Sequence, residues 1–221
     1  MSALVEARTE SGLLELLVLS VEPDHCAGID LSSGALIRAW TTETIDPAIW
    51  PYDVVTASPV AYDPERLPDP TEPDAVVLLG PPSPVGRMSG RRAERYLRKV
   101  VHPAGRPLLG FHGPAIPFWE RSRDQPSVAL IEPEGPALVV LQRSRLLCRL
   151  KWRGRVVQLP CVDGRVGRTL RRTGRTWLET GRNDRLLVAL TPPIEGHCHK
   201  VVSGVVARPR WSGRGWPVDG S

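Results

Sequence analysis

Prolines and glycines punctuate this chain so closely that long helices do not fit between them. There are 23 Pro and 20 Gly in 221 residues, about one position in five. Proline removes a backbone donor and clashes inside helices, and glycine weakens the interior of either regular element. What remains are short apolar runs between turns: LLELLVLSV (13–21), CAGIDL (26–31), ALIRAW (35–40), DVVTASPVAY (53–62), AVVLLG (75–80), RLLVALTPP (185–193) and HCHKVVSGVV (197–206). Runs of that length bounded by turn residues suit strands, and Ser32-Ser33-Gly34 between two of them predicts a hairpin. With 41% hydrophobic residues there is enough apolar material for a packed core. The fold class expected is mainly β.

One stretch breaks the pattern. In RMSGRRAERYLRKVV (87–101) Ala93, Tyr96, Leu97 and Val100 recur at helical spacing, opposite Arg91, Arg92, Arg95, Arg98 and Lys99. This predicts a helix over 89–101 capped by Ser89. The Pro-rich stretch 103–127 then reads as an irregular boundary. Beyond it RLLCRLKWRGRVVQLPCV (145–162) predicts a hairpin turning at Arg153-Gly154. Leu146, Cys148, Leu150 and Trp152 share one face of its first strand, and Arg145, Arg149 and Lys151 share the other. Two β units are expected, over 13–102 and 128–206, followed by a disordered tail over 207–221 that holds Trp211 and Trp216.

Charge divides along the same line. Residues 1–110 carry a net −5 and residues 111–221 a net +10, nearly all of it Arg. Arginine forms planar bidentate contacts with phosphate and stacks on bases, so the basic half fits a nucleic-acid partner and the acidic half a protein partner. A genome rich in G and C enriches Arg, Pro and Gly without any such role. The N-terminal residues lack a basic leader, and LLELLVLSV is too short to span a bilayer. The expected location is the cytoplasm, with no membrane contact and with Cys26, Cys148, Cys161 and Cys198 reduced.

Catalytic and metal signatures are weak. On a strand, His197 and His199 face one way and Cys198 the other, so the three cannot share one ion. The same parity separates each cysteine from its neighbouring histidine, which is then the wrong general base for it. No CxxC pair and no phosphate-binding Gly-rich loop is present. No catalytic residue, metal ligand or cofactor is expected.

Cys26-Ala27-Gly28, the partial Gly34/Ile37/Arg38 pattern, and Gly196, Cys198 and Lys200 before a final apolar strand together resemble the dual OB-containing domain family. Arg38 is followed by Ala39 where the family has Pro, and Glu22-Pro23-Asp24-His25 replaces a basic Gly-Gly loop. The resemblance covers roughly residues 13–206. It implies two tandem OB-like barrels and a nucleic-acid-binding role in bacterial conflict systems, with no catalytic residues to carry over.

The function expected is therefore non-enzymatic binding of nucleic acid, single-stranded by preference. Phosphate contacts would come from Arg149, Lys151, Arg153, Arg155, Lys200 and Arg38, and stacking surfaces from Trp152 and Trp177, which follows Arg165, Arg168, Arg171, Arg172 and Arg175. Trp152 also lies on the parity of a core residue. The alternatives are a protein-interaction adaptor that binds no nucleic acid, and a metal- or thiol-dependent enzyme built on His25, Cys26, His197, Cys198 and His199.

Overall fold

The computed structural model describes residues 12–60, 72–88, 90–122 and 124–209. The expected Ser89 cap, the end of the 53–62 run, and Trp211 and Trp216 of the tail lie outside these. The described chain is mainly β, with curled sheets and two helices. None of its helices is long and apolar enough to cross a membrane.

In the first half β1 (Leu14–Val21) pairs antiparallel with β2 (His25–Asp30) on one side and β4 (Asp53–Ala57) on the other. The hairpin from β2 to β3 (Leu36–Trp40) forms as expected. Its turn is held by Asp30, which accepts bonds from the Ser32 amide and the hydroxyls of Ser32 and Ser33, while Gly34 sits at φ 72°. Strand β3 runs parallel to β5 (Ala75–Val77). Just past β4 the chain meets β5 again: Val60 N–H donates to the Val77 carbonyl and Leu79 N–H to that of Ser58. The paired strands run in the order β5-β3-β2-β1-β4-β6, with β6 spanning Ser83–Arg87, and curl into a half-barrel, with an isolated bridge between Pro59 and Leu78 past the ends of β4 and β5. Leu16, Val18, Cys26, Ile37, Ala39, Val55 and Val76 fill the interior, and Ile45 and Ile49 pack against them. Strand β6 adds to β4, with every side chain exposed. It has no buried face, so no hydrophobic pattern marks it.

The helix expected over 89–101 is α1 (Gly90–Val100), which buries Ala93 and Leu97. Residues 101–122 and 124–127 are irregular except for two short 3-10 turns and β7 (Ala115–Pro117).

The second half repeats the pairing scheme. Strands β8 (Val128–Ile131) and β9 (Leu138–Gln142) follow one another in the chain and lie in two different four-stranded sheets. Strand β9 pairs with β10 (Arg145–Trp152), and β8 pairs with β13 (Arg185–Leu190). Strand β10 turns into β11 (Arg155–Pro160) through Arg153 and Gly154, both at positive φ. Strand β14 (His197–Val206) pairs with β13 and, at its start, with β7. Cys161, just past β11, bridges to Val202 of β14 in parallel, as β3 does to β5.

Between β11 and β12 (Trp177–Glu179) lies a second helix, α2 (Gly164–Thr173), which the sequence reading lacks. Only Val166, Gly167 and Leu170 are buried, too few for an apolar stripe. Its ends carry the signals: the Asp163 side chain accepts from the Arg165 amide, and Gly174 ends the helix at φ 66°. Val166 and Leu170 join Val139, Cys148, Leu150, Trp152, Leu159, Leu186, Val188 and Cys198 in one core.

The halves meet over a shared apolar layer. Leu17, Leu19, Ala27 and Ile29 face Val128, Leu130, Leu187, Ala189 and Val206, with Ala93 and Leu97 of α1 alongside. This explains why LLVLSV and RLLVAL show no alternation: both strands are buried on two faces. Polar ties reinforce the joint. The Asp74 carboxylate accepts from the amides of Ser127 and Val128 and from the Ser127 hydroxyl.

Candidate nucleic-acid interface

The sheet β11-β10-β9-β12 has one face on the core, and the side chains of its other face range from half-buried to exposed. On β10 the alternation places Leu146, Cys148, Leu150 and Trp152 inward, and Arg145, Leu147, Arg149 and Lys151 outward. Directly opposite residues on paired strands share a face, so the register fixes what surrounds them. Leu147 stands opposite Pro160 of β11 and Val140 of β9, and Val140 stands opposite Trp177 of β12. The result is an outward row, Pro160–Leu147–Val140–Trp177, that crosses four strands and spans about 14 Å at the usual strand spacing. The next row along the strands is Gln158–Arg149–Leu138–Glu179, followed by Val156 beside Lys151; on the other side of the apolar row lies Arg145 beside Gln142.

Trp177 is 53% exposed and Val156 62%. The side chains of Arg145, Arg149, Arg153 and Arg155 are exposed, and among the described residues none of them pairs with a carboxylate. Lys151 has a partner in Glu134 at 3.3 Å, but both side chains are about half exposed. Such pairs contribute little and exchange readily. Arg175, two residues before Trp177, and Arg168, Arg171 and Arg172 of α2 are exposed as well.

Three expected contacts are corrected. Trp152 is 7% exposed and packs in the core, its parity with Cys148 and Leu150 having decided its place. Lys200 is 4% exposed; its ammonium donates to the Phe111 carbonyl at 2.8 Å and lies 3.8 Å from the centre of the Phe111 ring. Burial lowers its pKa to about 8. Arg38 is also 4% exposed and donates from Nη1 to Glu72 at 2.7 Å and to the Leu190 carbonyl at 3.1 Å. It ties the two halves together and presents no cation to a ligand.

The His-Cys segments are placed as strand parity requires. Cys26 and Cys198 are buried, and desolvation raises Cys26, Cys148 and Cys161 to about 12, far from a usable thiolate. His25 stacks on Trp40 at 4.2 Å and bonds to Asp24, with burial lowering its pKa. His197 lies 6.1 Å from Trp119 and 6.5 Å from His199. Among the described residues no three His, Cys, Asp or Glu side chains gather as a metal site would need.

The sequence reading lacks Leu147, Val140 and the row they form; the β10 alternation marked Arg145 and Arg149, but pairing with β9 and β12 is a long-range fact. It also lacks an exposed aromatic pair, Phe118 (43%) and Trp119 (64%), beside Ile194 and His197. The charged residues adjoining these in sequence include Glu120 and Glu195, so that patch is less suited to phosphate than the β9–β12 face. Comparison of the chain with family models, curated proteins and solved structures finds no match.

Proposed function

We propose that the protein binds single-stranded nucleic acid on the outward face of β11-β10-β9-β12. The observation that carries this reading is the outward apolar row, half-buried at Leu147 and Val140 and exposed at Pro160 and Trp177, flanked by Arg145 on one side and by Arg149 and Lys151 on the other. Single strands are held by cations that track the backbone and by planar or apolar surfaces under the bases. Duplex grooves ask for a protruding helix or ribbon instead. We also read the repeated pairing scheme, in which the first strand pairs with the second and fourth while the third runs parallel to the fifth, as two tandem OB-like barrels. OB folds use the face of their second and third strands for oligonucleotides, which are β10 and β11 here. The resemblance to the dual OB-containing domain family points the same way.

The test is fluorescence anisotropy with a labelled single-stranded oligonucleotide, compared between wild type and Arg149→Glu/Lys151→Glu. Saturable binding that the double variant lacks supports the reading. No binding to wild type at about 50 mM salt, where phosphate contacts are strong, overturns it. The adaptor reading, with the exposed Phe118–Trp119 pair as its surface, would then take its place.

A further inference from the structure

A cleft of about 440 Å³ is lined by Glu94, Arg98, Glu132, Arg182, Asp184 and Arg208 around the buried Arg185. It brings together α1, the segment after β8, the loop before β13 and the residues after β14. Its charges divide sharply by whether they already have partners. The Arg185 guanidinium donates to both oxygens of Glu94 at 2.8 and 2.9 Å and to Glu132 at 2.8 Å. Arg185 chiefly, and Arg98 after it, hold the Glu94 carboxyl down at about 2. Asp184 is likewise consumed, one oxygen accepting the Gly181 amide at 2.7 Å and the other the Arg208 amide at 3.1 Å. Both oxygens of Glu94 and of Asp184 thus have donors of the protein, while Glu132 is bound through Oε1 alone and is about half exposed.

The cations retain open donors. Arg98 uses only its Nε toward Glu94 and is 71% exposed, which leaves both of its Nη groups to the cleft or solvent. Among the described residues no carboxylate bonds to the exposed guanidinium groups of Arg182 and Arg208. Three guanidinium groups with open donors therefore line one concavity in which Glu94 and Asp184 are already bound and Glu132 is bound on one oxygen. Guanidinium forks match tetrahedral oxyanions in bidentate fashion, and a dianion uses more than one. The lining offers no aromatic wall for a base or a sugar.

We propose that this cleft binds a phosphomonoester dianion through Arg98, Arg182 and Arg208. The phosphate belongs either to a small free molecule or to the terminus of a bound strand. Only the second source rests on the function proposed above.

The experiment is calorimetric titration of the full chain with a nucleoside 5′-monophosphate and with the nucleoside alone, beside anisotropy with the same oligonucleotide carrying either a 5′-phosphate or a 5′-hydroxyl. Wild type and Arg182→Gln/Arg208→Gln are compared; both substituted side chains are exposed, so the fold should not depend on them. The expected result is saturable binding of the monophosphate, none of the nucleoside, and affinity at least about tenfold weaker in the double variant, as the loss of charged hydrogen bonds implies. If the 5′-phosphate also tightens oligonucleotide binding in wild type alone, the strand end is the ligand. If it does not, the ligand is a small phosphate. Monophosphate binding that survives Arg149→Glu/Lys151→Glu separates the cleft from the sheet face. No monophosphate binding, or binding unchanged in Arg182→Gln/Arg208→Gln, overturns the proposal.

Discussion

Trp177 of β12 and Leu147 of β10 stand in one outward row two strands apart, with Val140 of β9 between them. The chain separates them by thirty positions, and only the registers of two strand pairs bring them together. A base stacked on Trp177 has the apolar row as its floor and Arg149 beside it. Trp177→Ala is therefore expected to weaken oligonucleotide binding by about 1–3 kcal/mol, the usual loss for one stacked base. Trp152→Phe, a change inside the core, should leave affinity intact. Anisotropy titration of both variants checks this, and equal affinities for wild type and Trp177→Ala would remove Trp177 from the site.

Salt provides a second test of the same face. If Arg145, Arg149, Lys151 and Arg153 each neutralise one phosphate of a single strand, log K should fall with log salt at a slope of about −3. Raising salt from about 50 to about 200 mM then weakens binding by about fifty-fold. Removing two of the four cations in Arg149→Glu/Lys151→Glu should at least halve the slope. A slope near zero would mean that the ligand is held without phosphate contacts.

Arg38 shows where the sequence was misleading. Its position on a short strand beside Trp40 reads as a cation on a binding edge, yet it is buried against Glu72 and the Leu190 carbonyl, partners 34 and 152 residues away. Lys200 was misread for the same reason: its carbonyl partner Phe111 is 89 positions distant. By contrast the β10–β11 hairpin was legible down to side-chain facing, because RLLCRLKW alternates and Arg153-Gly154 suits its turn. Local pattern carried the longer strands and α1, but not β6, β7 or β12. It missed α2, which buries only Val166, Gly167 and Leu170, and it could not show which charged residues the joint between the halves would enclose.

That joint makes Arg38 a stability residue. Arg38→Ala takes the guanidinium from a Glu72 side chain that is only 4% exposed, leaving Trp40 Nε1 still donating to it. Removing one member of a buried ion pair costs about 3–5 kcal/mol. Thermal unfolding should report a large drop in Tm, while oligonucleotide affinity measured well below that Tm should not change. A loss of affinity in the folded variant would restore Arg38 to the binding surface.

Gly204 tests the joint by shape. A Cβ there would lie 2.9 Å from Cβ of Ser20 in the other half and 3.5 Å from Cβ of Leu187. Strands β14 and β1 can approach this closely only where no side chain intervenes. Gly204→Val is expected to destabilise by about 1–3 kcal/mol through overpacking. Denaturant unfolding of Gly204→Val checks it; stability equal to wild type would show that β14 and β1 do not touch at this point.

Glu22 sets a pH dependence whose sign can be worked out. It lies in the turn after β1, and its carboxyl faces the first turn of α2, accepting from the Gly164 amide at 3.4 Å. Burial, the largest cause, raises its pKa from 4.5 to about 7; the Gly164 amide, Arg165 and Arg168 oppose the rise, and Asp163 adds to it. The folded chain therefore binds this proton more tightly than the unfolded chain does. Stability from this group is fully present below about pH 4.5 and is lost as pH rises through about 7. His25, whose pKa burial lowers, acts in the opposite direction over part of the same range, so wild type alone will not show the effect cleanly. The difference between wild type and Glu22→Gln does, because His25 cancels in it and the amide still accepts from Gly164. Tm measured from pH 4.5 to 8 should show Glu22→Gln gaining on wild type steadily above pH 5 and levelling off near pH 8. A difference independent of pH would mean that Glu22 titrates as an ordinary surface carboxylate.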